Sequence, residues 1–358
     1  MSRPLALGMF GFMRVTLRDI ASKVGVSHST VVMALRNNSS ISVERRRQIR
    51  RVAKKLGYKP DPFLSGLAAY SRTRVPPKER GVLAWVNHWK SPRHLRQFRE
   101  FQAYWKGASE AAKRFGYRVD EVRWGGDCSP KRLEKILLAR GIEGVLIPPH
   151  HELLEWEDFD WGKFSVLRFG MSAQNPDSNQ VTSDVFRGIV MAVTRFHEYG
   201  YRRIGFTVNE AFNARLGGNS LSGYFYSQKL LDLSPPLPPL LTALTTRNAD
   251  DLARGKEMLK RWLGNCKPDA ILTSDIEVPA MLRDLGFAIG KDIAVAGTSV
   301  LDIPLDAGID QRSEAVGRVA VEMLVKQINI NERGEPSSPC RIMVESRWRD
   351  GASLPPKS

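Results

Sequence analysis

The densest chemistry in the 358-residue sequence is a run of cations. Arg45, Arg46, Arg47, Arg50, Arg51, Lys54 and Lys55 all fall within eleven positions. The net charge of +16 is unevenly spread. Residues 1–80 hold 17 Lys and Arg against 4 Asp and Glu, a balance of +13, which leaves only +3 for the remaining 278 residues. A basic N-terminal fifth on a near-neutral body is the electrostatic footprint of polyanion binding. Catalytic chemistry is poorly represented. The sequence contains no GxSxG, HExxH, GxxxxGK[ST] or GxGxxG pattern. Cys128, Cys266 and Cys340 are far apart and without CxxC spacing, against both a disulfide framework and a zinc cluster. His150-His151 lacks further ligands at metal spacing, and the acidic-aromatic stretch Glu155–Trp161 suits a packed loop better than a carboxylate pair. These residues point to binding without a cofactor or metal, and not to an enzyme.

The cations need an element to carry them, and Thr16 to Tyr58 reads as three short helices. In the first, near 17–24, Leu17, Ile20, Ala21 and Val24 share one face. Gly25 breaks it. Ser27 then caps a second helix, from about 28 to 36, with Val31, Ala34 and Leu35 as its apolar stripe. A third, 43–56, buries Val43, Ile49, Val52, Ala53 and Leu56, with Ser42 as cap and Gly57 as stop. Two helices joined by a tight glycine turn and braced by a third make a helix-turn-helix unit, whose second helix is shaped for a DNA major groove. Asp61-Pro62 is a cap-and-first-turn pair for another short helix, and Arg72 to Arg80 is a Pro-rich, charged linker.

Past residue 80, short apolar runs alternate with helical stretches. Strands are expected at 81–86, 117–122, 144–148, 164–169, 203–207, 270–273 and 293–297. Helices are expected near 97–115, 130–140, 184–199, 250–263, 278–285 and 313–328. This alternation argues for parallel sheets wound with helices, and its length for two sheets. Residues 1–12 meet few requirements of a signal peptide and are expected to be a disordered extension, with Met13 an alternative start. A cytoplasmic protein without a membrane partner fits best.

The stretch TLRDIASKVGVSHSTVVMAL, followed by ISVERRRQIRRVAKKLGYKPD, resembles the DNA-binding head of the LacI/GalR (lac repressor) family. The segments YWKGASEAAKRFGYRV, QVTSDVFRGIVMAVTRFHEYGYRRIGF, DAILTSDIEVPAMLRDLGFAIGKDIAVAG and GIDQRSEAVGRVAVEML extend the resemblance in order over most of residues 14–350. It implies an α/β chain with an all-α helix-turn-helix head and a two-lobed, periplasmic-binding-protein-like core of two Rossmann-like parallel sheets. The head would span 13–59, the hinge helix and linker 60–80, and the core 81–350. Within the core, the N-lobe would take about 81–178 and 308–332, and the C-lobe about 179–307 and 333–350.

By the same resemblance, His28, Ser29 and Met33 face base edges, the first two by hydrogen bonds and Met33 by apolar contact. Thr16, Ser27 and Thr30 would touch phosphate and set register. Leu67 takes the position of the hinge leucine that wedges into the minor groove at the operator centre. The effector would lie between the lobes, beyond the carboxyl ends of strands. Trp85, Asn87, Trp89, His150, Met171, Asn209, Arg215, Asp275 and Ser299 stand at or just after such ends.

The chain departs from the family pattern in several places. Met33 and Val32 replace commoner polar residues. Gly297-Thr298-Ser299-Val300 replaces Gly-Phe-Asp-Asp and so lacks the usual ligand-gripping carboxylate. Asn213–Gly223 is longer and richer in glycine than the usual arginine-bearing pattern. Leu230–Leu241 reads as a rim loop. The function this implies is a homodimeric transcriptional regulator acting as a repressor. It would bind a palindromic double-stranded operator under control of a sugar-like effector. The alternatives are a solute- or sugar-binding protein, or a non-specific nucleic-acid-binding protein, with a basic N-terminal module.

Overall fold

In the head, α1 (Leu17–Val24), α2 (His28–Leu35) and α3 (Val43–Lys55) close around Ile20, Ala21, Val31, Ala34, Ile49 and Ala53. The structure, a computed structural model, describes residues 15–35, 40–56, 58, 81–89, 97–125, 128–150, 154–242 and 248–357. The expected 1–12 extension, the hinge and linker at 60–80, and Leu67 lie outside the described residues. Thr16 begins α1 with a capping box. Its hydroxyl accepts from the Asp19 N–H, and the Asp19 carboxylate accepts from the Thr16 N–H at 2.7 Å. Gly25, at φ +70°, ends α1 in the left-handed conformation that glycine adopts without strain. Ser27 accepts from the Thr30 N–H at 3.1 Å, and Ser42 from the Arg45 N–H at 3.3 Å, which starts the next two helices. Val43 departs from expectation. It is 53% exposed, because as the first residue of α3 it precedes the face that reaches the core.

The core holds two six-stranded sheets. The first has the order β11-β5-β4-β3-β1-β2, formed by β1 (Gly81–Asn87), β2 (Tyr117–Arg123), β3 (Gly144–Ile147), β4 (Ser165–Phe169), β5 (Asn179–Ser183) and β11 (Arg341–Val344), all parallel. Strand alternation sends Leu83 and Trp85 to one face, against α4 (Arg99–Arg114) and α11 (Ser313–Ile330). It sends Ala84 and Val86 to the other, with α5 (Pro130–Ala139) and the aromatic segment 154–164. The helices α4 and α11 meet backbone to backbone. A Cβ at Gly107 would run into the Glu314 carbonyl, and one at Gly317 into that of Tyr104.

The second sheet has the order β12-β10-β9-β8-β6-β7. Its strands are β6 (Ile204–Asn209), β7 (Leu240–Thr242), β8 (Ala270–Thr273), β9 (Ala294–Gly297), β10 (Gly308–Asp310) and β12 (Arg347–Arg349), the last antiparallel to β10. Its helices are α6 (Val185–Glu198), α7 (Glu210–Arg215), α8 (Asn219–Leu230), α9 (Ala249–Cys266) and α10 (Val278–Asp284).

The chain passes between the sheets after Ser183, after Asp310 and after Val344. These crossings shift the expected lobe boundaries. β5 pairs with β4 in the first sheet, β10 with β9 in the second, and β11 with β5 in the first, so hydrogen-bond registry and not chain length fixes each transfer. Leu230–Leu241 is likewise no free rim loop. Leu233, Leu237 and Leu240 are buried, and the Leu237 carbonyl accepts from the Tyr224 hydroxyl and the Gln228 amide. Asn213–Gly223 holds the end of α7 and the start of α8.

Candidate nucleic-acid interface and interlobe site

On α2 the inward positions are Val31, Ala34 and, partly, Leu35. The opposite face therefore carries His28, Ser29, Val32 and Met33, with His28 and Ser29 exposed and Val32 and Met33 half-buried. Two neighbouring polar groups and a thioether on a short amphipathic helix form a surface able to read base edges. The hydroxyls of Thr16, Ser27 and Thr30 are engaged within the head. The Thr16 hydroxyl donates to Asp19 at 2.8 Å, and the Ser27 hydroxyl lies 2.8 Å from those of both Ser29 and Thr30. All three hydroxyls serve the helix starts. The N-terminus of α2 that they organise is the end of a helix at which anions are favoured. Hydrogen bonding to Thr16 holds the Asp19 carboxyl below its ordinary range.

The effector candidates of the N-lobe are brought together, but around one another. The Trp85 ring is a core residue. It packs edge-on against Trp105 at 5.3 Å and against Phe169 at 4.9 Å, since its β1 position faces α4. Asn87 is fully buried, donating to Glu121 at 2.6 Å and accepting from the Trp89 N–H at 2.9 Å. The Trp89 indole donates to the Pro149 carbonyl at 2.9 Å, and the His150 ring accepts from the His88 N–H at 3.0 Å. These bonds stitch the ends of β1 and β3 into a wall. In the C-lobe, Asp275 accepts from the Thr242 hydroxyl and the Glu277 N–H, and Asn209 caps α7 through the Phe212 N–H. Arg215 sits over the Phe212 ring at 5.8 Å, and burial pushes its guanidinium pKa down. Ser299 faces the other lobe, donating to Glu100 on α4.

One open cavity lies beside the first and third crossings. A cavity of about 460 Å³ is lined by Met171, Ser183 and Met343 from the N-lobe, by Asp184 at the crossing, and by Phe186, Arg187 and Asn219 from the C-lobe. Of the sequence candidates, Met171 alone among these belongs to it. The Asn219 amide reaches the Met171 sulfur across the lobes at 3.5 Å. The crossings are tied together behind it. Ser183 donates to Gln311, Gln311 to the Thr298 carbonyl, and the Asp184 N–H to the Val344 carbonyl. The lining combines an aromatic face, two thioethers and four hydrogen-bonding side chains, the composition of a small-molecule site. Sequence reasoning missed most of it because the residues follow β5 and α7, elements too short and polar to declare themselves. Among the described residues, no cluster of three or more His, Cys, Asp or Glu is placed to hold a metal ion.

Comparison with known proteins bears on both parts of the chain. Residues 16–61 match the profile of the bacterial regulatory proteins of the lacI family, and residues 193–354 that of a periplasmic-binding-protein-like domain. Catabolite control protein A of Staphylococcus xylosus is 36% identical over 94% of this chain and 99% of its own. The chain belongs to the lacI family of bacterial regulatory proteins. It is therefore a DNA-binding transcriptional regulator with a periplasmic-binding-protein-like core, and its curated relatives are regulators and not enzymes. The fold agrees. A CelR–cellobiose complex superposes with a TM-score of 0.58 at 20% identity, covering 95% of this chain and 100% of the other. The lac repressor dimer bound to operator and the anti-inducer ONPF gives 0.53 at 17%, covering 95% and 99%. Among the described residues, no helix is long and apolar enough to cross a membrane.

Proposed function

We propose that this family member is a sequence-specific, homodimeric, cytoplasmic repressor whose DNA affinity is set by a sugar-like effector held between the core lobes. The observation that carries the reading is the pairing of two separate surfaces on one chain. One is the exposed His28–Ser29 pair, with the half-buried Met33, beside a basic helix. The other is an interlobe cavity whose lining suits a sugar, with Ser183, Asp184, Arg187 and Asn219 for hydroxyl groups and Phe186 for a ring face. Thr16, Ser27 and Thr30 are proposed to set register on phosphate through the helix starts they organise, and Leu67 to act at the operator centre. Two heads on a two-fold axis call for two inverted half-sites about 10 base pairs apart, or a multiple of that spacing.

A sugar that grips both lobes biases their closure, and any difference in DNA affinity between open and closed forms is then coupled to it reciprocally. The test is fluorescence anisotropy on a selected operator, titrated with cellobiose and a panel of monosaccharides. An active sugar should change DNA affinity about 5–150-fold, the usual range of such coupling. Asn219→Ala should abolish that response while leaving sugar-free DNA binding intact. A response that persists undiminished in Asn219→Ala places the effector elsewhere.

A further inference from the structure

Glu100 is the second residue of α4 and, although a carboxylate, is 5% exposed. Its two oxygens reach different parts of the core. Oε1 meets Ser299, in the loop after β9 of the C-lobe, and Oε2 meets Ser313, where the second crossing enters α11. Beside them Asp302, also from the C-lobe loop, accepts from the Arg99 N–H at 2.6 Å and the Glu100 N–H at 3.3 Å. The C-lobe thus caps an N-lobe helix that has no side-chain cap of its own.

The bonding leaves little freedom at Ser299. Its oxygen accepts from the Leu301 and Asp302 N–H groups, so its single proton is directed to Glu100 Oε1. Ser313 likewise donates, to Oε2; a proton taken up by the carboxyl goes on Oε2, and the Ser313 hydroxyl then turns to accept from it. We propose that Glu100 is a proton-operated latch between the lobes, uncharged when they are closed and ionised when they separate.

The surroundings favour that assignment. Burial pushes Glu100 up to about 7, the two serine hydroxyls pull it back, and Asp302 and Asp310 raise it further. Asp302 is itself raised by burial, though Arg99 draws it down. Asp310 accepts from the Arg312 N–H, Lys106 pairs with Glu314 at 2.6 Å, and burial holds the Tyr104 hydroxyl protonated. The charges acting directly on Glu100 are thus both negative. Opening the lobes returns the carboxyl to water and to an ordinary value near 4.5. The sign follows. A carboxyl whose pKa is raised on closure takes up a proton as it closes. Closure is unpenalised below about pH 4.5, is progressively disfavoured as pH rises, and carries the full penalty above about pH 7.

The inference uses only the two lobes and stands whether or not the effector is a sugar. Its test is hydrogen–deuterium exchange on the full chain from pH 5.5 to 8.5, corrected for intrinsic rates and read on peptides covering Arg99–Phe101 and Ser299–Ile303. Protection of the Arg99 and Glu100 amides should fall about tenfold between pH 6 and pH 8. Glu100→Gln, an isostere that cannot ionise, should stay protected throughout. Ser313→Ala, which removes a hydroxyl that favours ionisation, should move the midpoint to higher pH. Flat protection in the native chain, an undiminished pH response in Glu100→Gln, or an unmoved midpoint in Ser313→Ala overturns the proposal.

Discussion

At the scale of single residues, the head divides its polar groups into those that hold the fold and those left for a partner. The Thr16, Ser27 and Ser42 hydroxyls start helices, whereas His28 faces outward and Ser29 is exposed beside the Ser27 hydroxyl it bonds. Substitutions should separate along the same line. His28→Ala or Ser29→Ala should relax preference at one operator position, removing about 1–3 kcal/mol of discrimination while binding to random DNA stays the same. Arg47→Ala, on the exposed side of α3, should weaken binding to every sequence alike and reduce the salt slope by about one. Binding titrations on matched and randomised duplexes at two or more salt concentrations distinguish the two outcomes. Equal losses on all sequences for both classes would mean that α2 does not read bases.

At the scale of elements, two internal contacts carry disproportionate weight. Where α4 crosses α11, Gly107 and Gly317 each face a carbonyl of the other helix. Gly317→Ala should therefore force the helices apart and cost about 3 kcal/mol, the upper part of the range for overpacked cores, as read by thermal melting of the core. Glu134, on α5 and 2% exposed, accepts from Lys163, from Lys131 and from the Asp160 N–H. Burial opposes its ionisation, yet the Lys163 bond and the Asp160 amide outweigh it and hold the carboxyl at about 2. Its stabilising effect should be complete above about pH 4.5 and lost as pH falls toward 2. Glu134→Gln should accordingly melt lower than the native chain at pH 7, with the gap closing in acid.

The elements also show what sequence can and cannot reveal. Strands β1, β3, β8 and β9 are apolar runs and helices α4, α6 and α11 long amphipathic ones, and the sequence pattern locates them within a residue or two. By contrast β5 (Asn-Gln-Val-Thr-Ser), β10 and β12 are short or polar, and only their partners make them strands. The lobe boundaries and the cavity lining lie on these strands and their neighbours, so both were displaced in the sequence reading. Trp85 was misplaced for a related reason. A tryptophan near a strand end suits a pocket wall as well as a core, and the choice depends on which helix covers that face.

At the scale of the whole molecule, the uneven charge acquires a role. The cations concentrate on the head, and the core is close to neutral. Polyanion attraction therefore belongs to the head, and ligand control, on the proposed reading, to the core. The proposed Glu100 latch would add a second input between the same two lobes, so that acidification and effector would act on one equilibrium. On the proposed reading, homodimerisation would turn a short reading helix into a selective device, because two half-sites multiply the information in one.

The most direct test of that account is selection of bound duplexes from a random DNA pool with the full chain at near-physiological salt. An inverted repeat is expected, with half-sites about 10 base pairs apart or a multiple of it, centred on a deformable pyrimidine–purine step. Recovery of a reproducible pool without two-fold symmetry, or of no shared sequence despite tight, salt-sensitive binding, would contradict it.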